Sequence, residues 1–255
     1  MDINQAFKIL EKSGGVRAAR IITSAYPRIS RLRTLYYAHL LKRGMPVAKI
    51  IHSKWFYGLE FYTNTHTLDP RPDTETLVEA VIKDCDANTN RTILDMGTGT
   101  GCIICAICKN VHGTSGIAID KSRKALRVAQ RNIKKLHLDK QIKIKHADFA
   151  NFKSDEKFDI IVSNPPYIKY GDKRVNDGAK FDPDIALYAK NDGLAAYEEI
   201  AKNAKNLLKT DGKIYLEIGV GQSAQIIKIF KFYGWQFERT DKDLAGINRV
   251  LVFKI

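Results

Sequence analysis

The sequence predicts an α/β fold with a seven-stranded, mostly parallel sheet, a C-terminal antiparallel hairpin and a small N-terminal helical domain. Three observations support this prediction. Apolar residues recur at helical spacing over residues 1–52, strands and helices alternate from Pro70 onward, and the last two strands leave no room for a helix between them. With 255 residues and 44% hydrophobic content, the chain can bury the core of one such domain and of a smaller accessory domain.

The first part of the chain is predicted to form a helical domain, residues 1–52, in which glycine and proline separate three short helices. These helices are Ile3–Leu10, Val16–Ile22 and Leu32–Leu41. Residues 53–69 are rich in aromatic side chains and are split by Gly58, which predicts a β-hairpin that connects the two domains. Residues 70–255 then form the main domain.

The main domain shows apolar runs of strand length that alternate with amphipathic segments of helix length. The predicted strands are Thr92–Asp95, Gly116–Asp120, Ile142–His146, Phe158–Ser163, Lys213–Ile218, Trp235–Thr240 and Arg249–Phe253. The predicted helices are Thr74–Asp84, Cys102–Asn110, Ser122–Lys135, Leu194–Leu208 and Gln222–Phe232. A parallel sheet with helices on both faces follows from this order.

Composition limits the class of protein. The longest apolar stretch, Cys102–Cys108, is too short to cross a membrane, so we expect a soluble cytoplasmic protein without membrane contact. The net charge of +14 and a pI near 9.5 have two interpretations: a polyanionic partner such as nucleic acid, or a compositional drift spread over the surface. Nucleic acid contact is therefore possible but not required.

A glycine-rich loop follows the first strand of the main domain, and we take it as the candidate cofactor loop. Its residues are Asp95, Gly97, Thr98, Gly99, Thr100 and Gly101. A dinucleotide fingerprint would need glycine or alanine at the position of Cys102, and a phosphate loop would end in Gly-Lys-Ser/Thr, which is missing. S-adenosylmethionine carries no phosphate and suits the acidic and polar surroundings better.

Acidic residues at the ends of the first three strands of the main domain fit that cofactor. Asp95 could face its ammonium group, and Asp120 could accept hydrogen bonds from both ribose hydroxyls. Asp148 and Phe149, which follow the third strand, could bind the adenine amino group and pack on the ring. The sequence therefore predicts an S-adenosylmethionine site at the carboxyl edge of the sheet.

The strand Phe158–Ser163 runs into the tetrapeptide Asn164-Pro165-Pro166-Tyr167, the candidate catalytic element. A planar NH₂ nitrogen is a poor nucleophile because its lone pair is delocalised, and two hydrogen-bond acceptors aimed at its N–H bonds would orient it. The Asn164 side-chain carbonyl and the Pro165 backbone carbonyl are the candidate acceptors. Pro166 restricts the preceding backbone, and Tyr167 offers a flat face for stacking.

The three cysteines of the helix Cys102–Asn110 resemble a cluster-binding run, but no metal is predicted. At 100° per residue, the outer two cysteines lie about 120° apart on a helix, so all three cannot converge on one ion. We expect them to be small buried apolar residues.

The motifs together resemble the release factor-specific protein-(glutamine-N5) methyltransferase family, also called PrmC/HemK. The resemblance covers about Leu41 to the C-terminus and rests on short motifs besides the glycine loop and the tetrapeptide. These motifs are Arg43–Val47, Phe56–Leu59, Arg71–Glu75, Asp192–Leu194, Leu216–Gly219 and Asp243–Gly246. It implies a Rossmann-like S-adenosylmethionine-dependent methyltransferase fold.

The resemblance also implies residue roles. Cofactor binding falls to Gly97–Gly101, Asp120, Phe149 and Asn164, and the substrate glutamine to residues 164–167. The stretch from Arg71 to Glu75 has two interpretations: closure over the cofactor or the substrate entrance, or a helix start capped by Asp73 or Thr74.

The expected function is methylation of the glutamine in the Gly-Gly-Gln loop of class I peptide chain release factors by a monomer that docks its substrate on residues 1–52. Two alternatives stay open. An adenine-N6 methyltransferase on DNA or RNA would extrude its base and read flanking sequence, and no recognition region is evident in the sequence. A basic RNA-binding module that retains a cofactor fold would not need Asn164 or Asp120.

Overall fold

The computed structural model describes residues 1–85, 90–172 and 177–255. Three helices precede the first hairpin: α1 Ile3–Ala25, α2 Arg31–Lys42 and α3 Val47–Ile51. The later helices are α4 Glu75–Asp84, α5 Cys102–Asn110, α6 Arg123–Lys135, α7 Asp184–Leu187, α8 Lys190–Gly193, α9 Ala195–Asn203 and α10 Ser223–Phe232. Short 3₁₀ turns stand at Pro72–Thr74, Asp177–Phe181 and Ala204–Leu207.

The strands form one large sheet and two short ribbons. The ribbons pair β1 Lys54–Phe56 with β2 Leu59–Phe61, and β7 Ile168–Lys169 with β8 Tyr188–Ala189. The large sheet contains β3 Thr92–Met96, β4 Ser115–Asp120, β5 Ile142–His146, β6 Phe158–Ser163, β9 Leu208–Glu217, β10 Gln236–Lys242 and β11 Asn248–Lys254. Its order is β10-β11-β9-β6-β3-β4-β5, with β11 antiparallel to both neighbours. The predicted fold class is confirmed.

Two predicted elements of the main domain differ from those observed by more than two residues at one end. The helix predicted to end at Leu208 stops at Asn203, and a 3₁₀ turn replaces its last residues. Strand β9 begins at Leu208 rather than Lys213, because Leu208 already pairs with Phe158 before a register shift. A turn that interrupts the pairing is not visible in the hydrophobic pattern.

The first two predicted helices are one kinked helix. Gly15, at φ 82°, is the non-helical residue within α1. A Cβ on Gly14 would lie 2.9 Å from the Leu41 side chain, so glycine lets α1 and α2 approach closely. The two glycines therefore bend and pack the helices instead of separating them.

Two apolar layers cover the sheet. Helices α4 and α5 contribute buried side chains to one layer, and α9 and α10 to the other, while α1 and α2 form a separate small core. Within the described ranges, no helix is both long and apolar enough to span a bilayer. This layering leaves the carboxyl ends of the parallel strands free to form a site.

Candidate active site

The glycine loop lies between β3 and α5, at the carboxyl edge of the sheet. Its backbone is held from the neighbouring strand, because Gly97 N and Thr98 N both donate to the Ile119 carbonyl at 2.9 Å. Gly97, Gly99 and Gly101 all have positive φ, which glycine adopts without strain. The loop lines a cavity, here called the first cavity, with Asp120, Asp148, Phe149 and Asn164.

Asp120 and Asp148 come from the next two strand ends. Asp120 Oδ2 accepts from Gly99 N at 3.0 Å and Oδ1 from Ser122 N at 2.8 Å, so the carboxylate is oriented by the loop that it faces. Burial raises the pKa of the Asp120 carboxyl, although the hydrogen bonds from these two N–H groups lower it. Each oxygen keeps a second lone pair for a ligand hydroxyl.

Asp95 lies behind the loop and does not line the first cavity. It is fully buried; its Oδ2 accepts from the Thr98 hydroxyl at 2.6 Å, while Oδ1 has no partner within the described part of the chain. Burial raises the pKa of Asp95 to about 7. A buried carboxyl with an unsatisfied oxygen fits a cationic ligand group at the loop. Its predicted contact with an ammonium group stays a prediction.

The tetrapeptide follows β6 directly and stands beside the glycine loop. The Ser163 hydroxyl donates to the Met96 carbonyl at 2.7 Å, which ties the ends of β6 and β3 together. Asn164 lines the first cavity. It also lines a neighbouring cavity, here called the second cavity, whose lining includes Tyr167 and Glu217. The structure therefore brings Asn164 to the boundary between two adjoining cavities.

The second half of the tetrapeptide is packed tightly. The Tyr167 hydroxyl donates to Glu217 Oε1 at 3.4 Å, and Gln222 Nε2 donates to the Tyr167 carbonyl at 3.1 Å. A Cβ on Gly193 would lie 2.2 Å from that carbonyl, and one on Gly219 would lie 3.0 Å from the Tyr167 ring. These glycines belong to the motifs Asp192–Leu194 and Leu216–Gly219, so both motifs support the tyrosine.

Glu217 had no assigned role in the sequence analysis. Its side chain is buried, and burial raises the pKa of its carboxyl to about 7, although hydrogen bonds from Thr74 and Tyr167 lower it. Glu217 Oε2 has no hydrogen-bond partner among the described residues.

The stretch from Arg71 to Glu75 borders both cavities. Arg71 lines both of them, Thr74 the first, and Asp73 the second. A helix does start here, but neither predicted cap is made: α4 has no side-chain cap, and Asp73 instead pairs with Arg249 at 2.8 Å. Glu75 lines neither cavity and accepts from Tyr57 N at 2.8 Å.

A buried cation beside the first cavity was missed by the sequence analysis. Lys49, on α3, donates to the carbonyls of Asn64 and Thr67 and pairs with Asp69 at 3.1 Å and Asp182 at 2.8 Å. Its side chain is fully buried. Since Asp69 and the residues that follow Asp182 line the first cavity, Lys49 connects the N-terminal helices to the cavity wall. A single lysine in a short helix does not predict burial or ion pairing from the sequence.

The cysteines of α5 are buried and free, as predicted for apolar residues. Burial raises the pKa of the Cys102 and Cys108 thiols to about 12. In the described ranges, no group of three or more His, Cys, Asp or Glu side chains is arranged to hold a metal ion.

Comparisons with known proteins agree with this architecture. The model of the methyltransferase small domain matches residues 69–181. A release factor glutamine methyltransferase from Caulobacter vibrioides is 34% identical over 96% of this chain and 86% of its own length. A bifunctional methyltransferase from Rickettsia prowazekii is 40% identical over 84% of this chain, and the chain spans 46%, about half, of that relative. A methyltransferase from Pyrococcus furiosus shares the fold, with TM-score 0.55 and 18% identity over 88% of this chain and 98% of that one.

The fold and the lining of the first cavity are typical of S-adenosylmethionine-dependent methyltransferases, because carboxylates suited to ribose and amino groups and the Phe149 ring line one cavity with the glycine loop. Asp95 adds a buried oxygen that lacks a partner in the described residues. The chain belongs to the release factor glutamine methyltransferase family. The similarity extends further than predicted, since the Caulobacter relative matches nearly the whole chain rather than only Leu41 onward.

We expect Asp120→Ala to weaken S-adenosylmethionine binding about 10- to 100-fold, because hydrogen bonds to a carboxylate contribute roughly 1.5–3 kcal/mol. The substitution also frees the Gly99 and Ser122 N–H groups that the carboxylate holds. Titration calorimetry measures the change. Asp139→Ala, at an exposed position, is the control. Wild-type affinity in Asp120→Ala would contradict the assignment.

Proposed function

We propose that the protein transfers a methyl group from S-adenosylmethionine to the side-chain amide nitrogen of the glutamine in the Gly-Gly-Gln loop of class I release factors. One observation carries the proposal: Asn164 lines both adjoining cavities. A donor methyl group in the first cavity and an acceptor nitrogen in the second would meet at this residue. The family relatives named as release factor glutamine methyltransferases support the choice of substrate.

The proposed chemistry depends on positioning. Bound S-adenosylmethionine supplies the methyl group, and the protein orients the acceptor. The Asn164 side-chain carbonyl and the Pro165 backbone carbonyl accept from the two N–H bonds of the glutamine amide, which directs the nitrogen lone pair toward the first cavity. Tyr167 supports the flat face of the amide, and Pro166 keeps the Pro165 carbonyl in place. Holding the reacting atoms in line provides most of the rate.

The remaining cofactor contacts are proposals of the same kind. Gly97, Thr98, Gly99, Thr100 and Gly101 would cradle the methionine part, Asp120 the ribose, and Asp148 with Phe149 the adenine. Arg71 would border the substrate, while Glu75 would act through the backbone of the β1–β2 hairpin.

We further propose that residues 1–52 dock the release factor and that the enzyme acts as a monomer in the cytoplasm. The proposed contacts all lie on one chain, which supports a monomer. Basic residues on α2 would favour a partner that works on the ribosome, without a direct contact to nucleic acid being required.

The proposal is tested by offering release factor, DNA and RNA separately, with labelled S-adenosylmethionine. We expect label on the release factor and a mass increase of one methyl group on the Gly-Gly-Gln peptide. A release factor with this glutamine replaced by alanine is the matched control and should stay unlabelled. Methylated adenine in the nucleic acid arms would favour the alternative adenine-N6 activity, and labelling of the alanine variant would contradict the assigned acceptor.

A further inference from the structure

Two buried side chains with no role so far stand beside the tetrapeptide. Asn164 Nδ2 donates to Thr74 Oγ1 at 3.2 Å. The Glu217 carboxyl, whose pKa the neighbouring Thr74 hydroxyl lowers, accepts from the Tyr167 hydroxyl at 3.4 Å. Thr74 and Glu217 are 3% and 1% exposed, so water does not compete for these bonds. Thr74 therefore holds the first side chain of the tetrapeptide, and Glu217 holds the last.

The donors in this chain of hydrogen bonds follow from the chemistry of each group. The Thr74 hydroxyl accepts from Asn164 Nδ2 with one of its lone pairs, and its single proton can point toward the neighbouring Glu217 carboxyl. Glu217 Oε1 stays an acceptor even when the carboxyl is protonated, because the proton can reside on Oε2, which has no partner in the described residues. The hydrogen bonds therefore assign the nitrogen of the Asn164 amide to the side that faces Thr74 and the oxygen to the opposite side.

We propose that Thr74 and Glu217 are positioning residues that hold the Asn164 amide with its carbonyl oxygen toward the substrate. This inference rests on the proposed function. With the nitrogen engaged by Thr74, the oxygen is the group that Asn164 offers at the boundary of the two cavities. Glu217 holds the Tyr167 hydroxyl at the same time, so the two contacts of the acceptor amide are set by two neighbouring buried side chains.

Loss of the Thr74 hydroxyl has a specific consequence. The Asn164 amide could then rotate by half a turn and present N–H groups to the N–H bonds of the substrate. Two donors facing each other repel, so the acceptor nitrogen would lose its orientation. Substrate docking on other surfaces would not change.

The kinetic test compares Thr74→Val, which removes the hydroxyl at nearly constant shape, with Thr74→Ser, which keeps it. We expect Thr74→Val to lower kcat roughly tenfold or more with little change in KM, since orientation acts on the chemical step. Thr74→Ser should recover most of that loss. Glu217→Gln should lower kcat as well. The new amide can donate to the Thr74 oxygen and would then compete with Asn164 for it.

Combination with Asn164→Ala separates positioning from general packing. If Thr74 acts through Asn164, Thr74→Val should cost almost nothing further in the Asn164→Ala background. Losses that simply multiply, or a wild-type kcat in Thr74→Val, would overturn the inference.

A measurement without substrate distinguishes this inference from the proposed function. In protein labelled with ¹⁵N-asparagine, the side-chain NH₂ signals of Asn164 are identified by their absence in Asn164→Ala. We expect these signals to shift and exchange faster with water in Thr74→Val but to stay near the wild type in Thr74→Ser. Unchanged signals in Thr74→Val would refute the hydrogen bond. Shifted signals in a protein that fails to methylate the release factor would place the failure on the proposed substrate.

Discussion

Asn164→Ala is expected to lower turnover by about 10²-fold or more, the scale observed when one positioned hydrogen-bonding group is removed from an active site. Asn164 lies where the two cavities adjoin, and its amide is held by Thr74. The alanine variant has no acceptor for one of the two substrate N–H bonds, so the nitrogen lone pair is no longer directed. Docking of the release factor should change little, because we propose that residues 1–52 provide its main contact surface.

Single-turnover kinetics at saturating S-adenosylmethionine separates the chemical step from binding. Tyr167→Phe serves as the companion variant, because it keeps the stacking face and removes only the hydroxyl that Glu217 accepts from. It should be far milder than Tyr167→Ala. Near-normal turnover in Asn164→Ala would reduce the tetrapeptide to a structural turn after β6, and the mechanism proposed here would have to be abandoned.

Lys49→Met is expected to destabilise the protein by about 3–5 kcal/mol, because removal of one partner from a buried ion pair leaves uncompensated charge. Lys49 has no exposed side-chain surface, and its partners Asp69 and Asp182 are 8% and 1% exposed. Without the ammonium group, the two buried carboxylates would keep only the partly exposed Arg71 guanidinium, which pairs with Asp182 at 3.0 Å. Urea unfolding at neutral pH measures the loss, and Lys42→Met, at an exposed position on α2, is the matched control.

The stability deficit of Lys49→Met should depend on pH in a defined direction. Burial already raises the pKa of Asp182, and the charge of Lys49 opposes that rise. In Lys49→Met the pKa should rise further, and a group with a raised pKa in the folded state stabilises the protein more as the pH falls. The deficit should therefore shrink from neutral pH toward pH about 4. Adding Asp69→Asn and Asp182→Asn should recover part of the loss. A deficit below about 1 kcal/mol, typical of surface pairs, would refute the importance of the buried cluster.

The sequence by itself determined the sheet and the position of the cofactor loop. Apolar runs marked the buried inner strands, and alternating patterns marked the partly exposed edge strands β5 and β10, so all seven strands of the large sheet could be predicted. Asp120 and Asn164 follow strands that both neighbour β3, and the carboxyl ends of parallel strands meet at one edge. Their shared cavity could therefore be predicted from chain order and spacing alone.

The tertiary structure alone decided how the site is supported. One interpretation of Thr74 in the sequence was a helix cap, yet its hydroxyl accepts from Asn164. Lys49 gave no signal in the sequence, yet it is buried between two carboxylates. The sequence placed Asp95 at the end of β3 but did not show that its carboxyl is fully buried and accepts from Thr98. The physical reason is common to all three. Sequence periodicity shows which face of a helix or strand is apolar. Polar partners that are distant in the chain meet only when the layers pack together. Once they are buried, these groups need hydrogen-bond or charge partners.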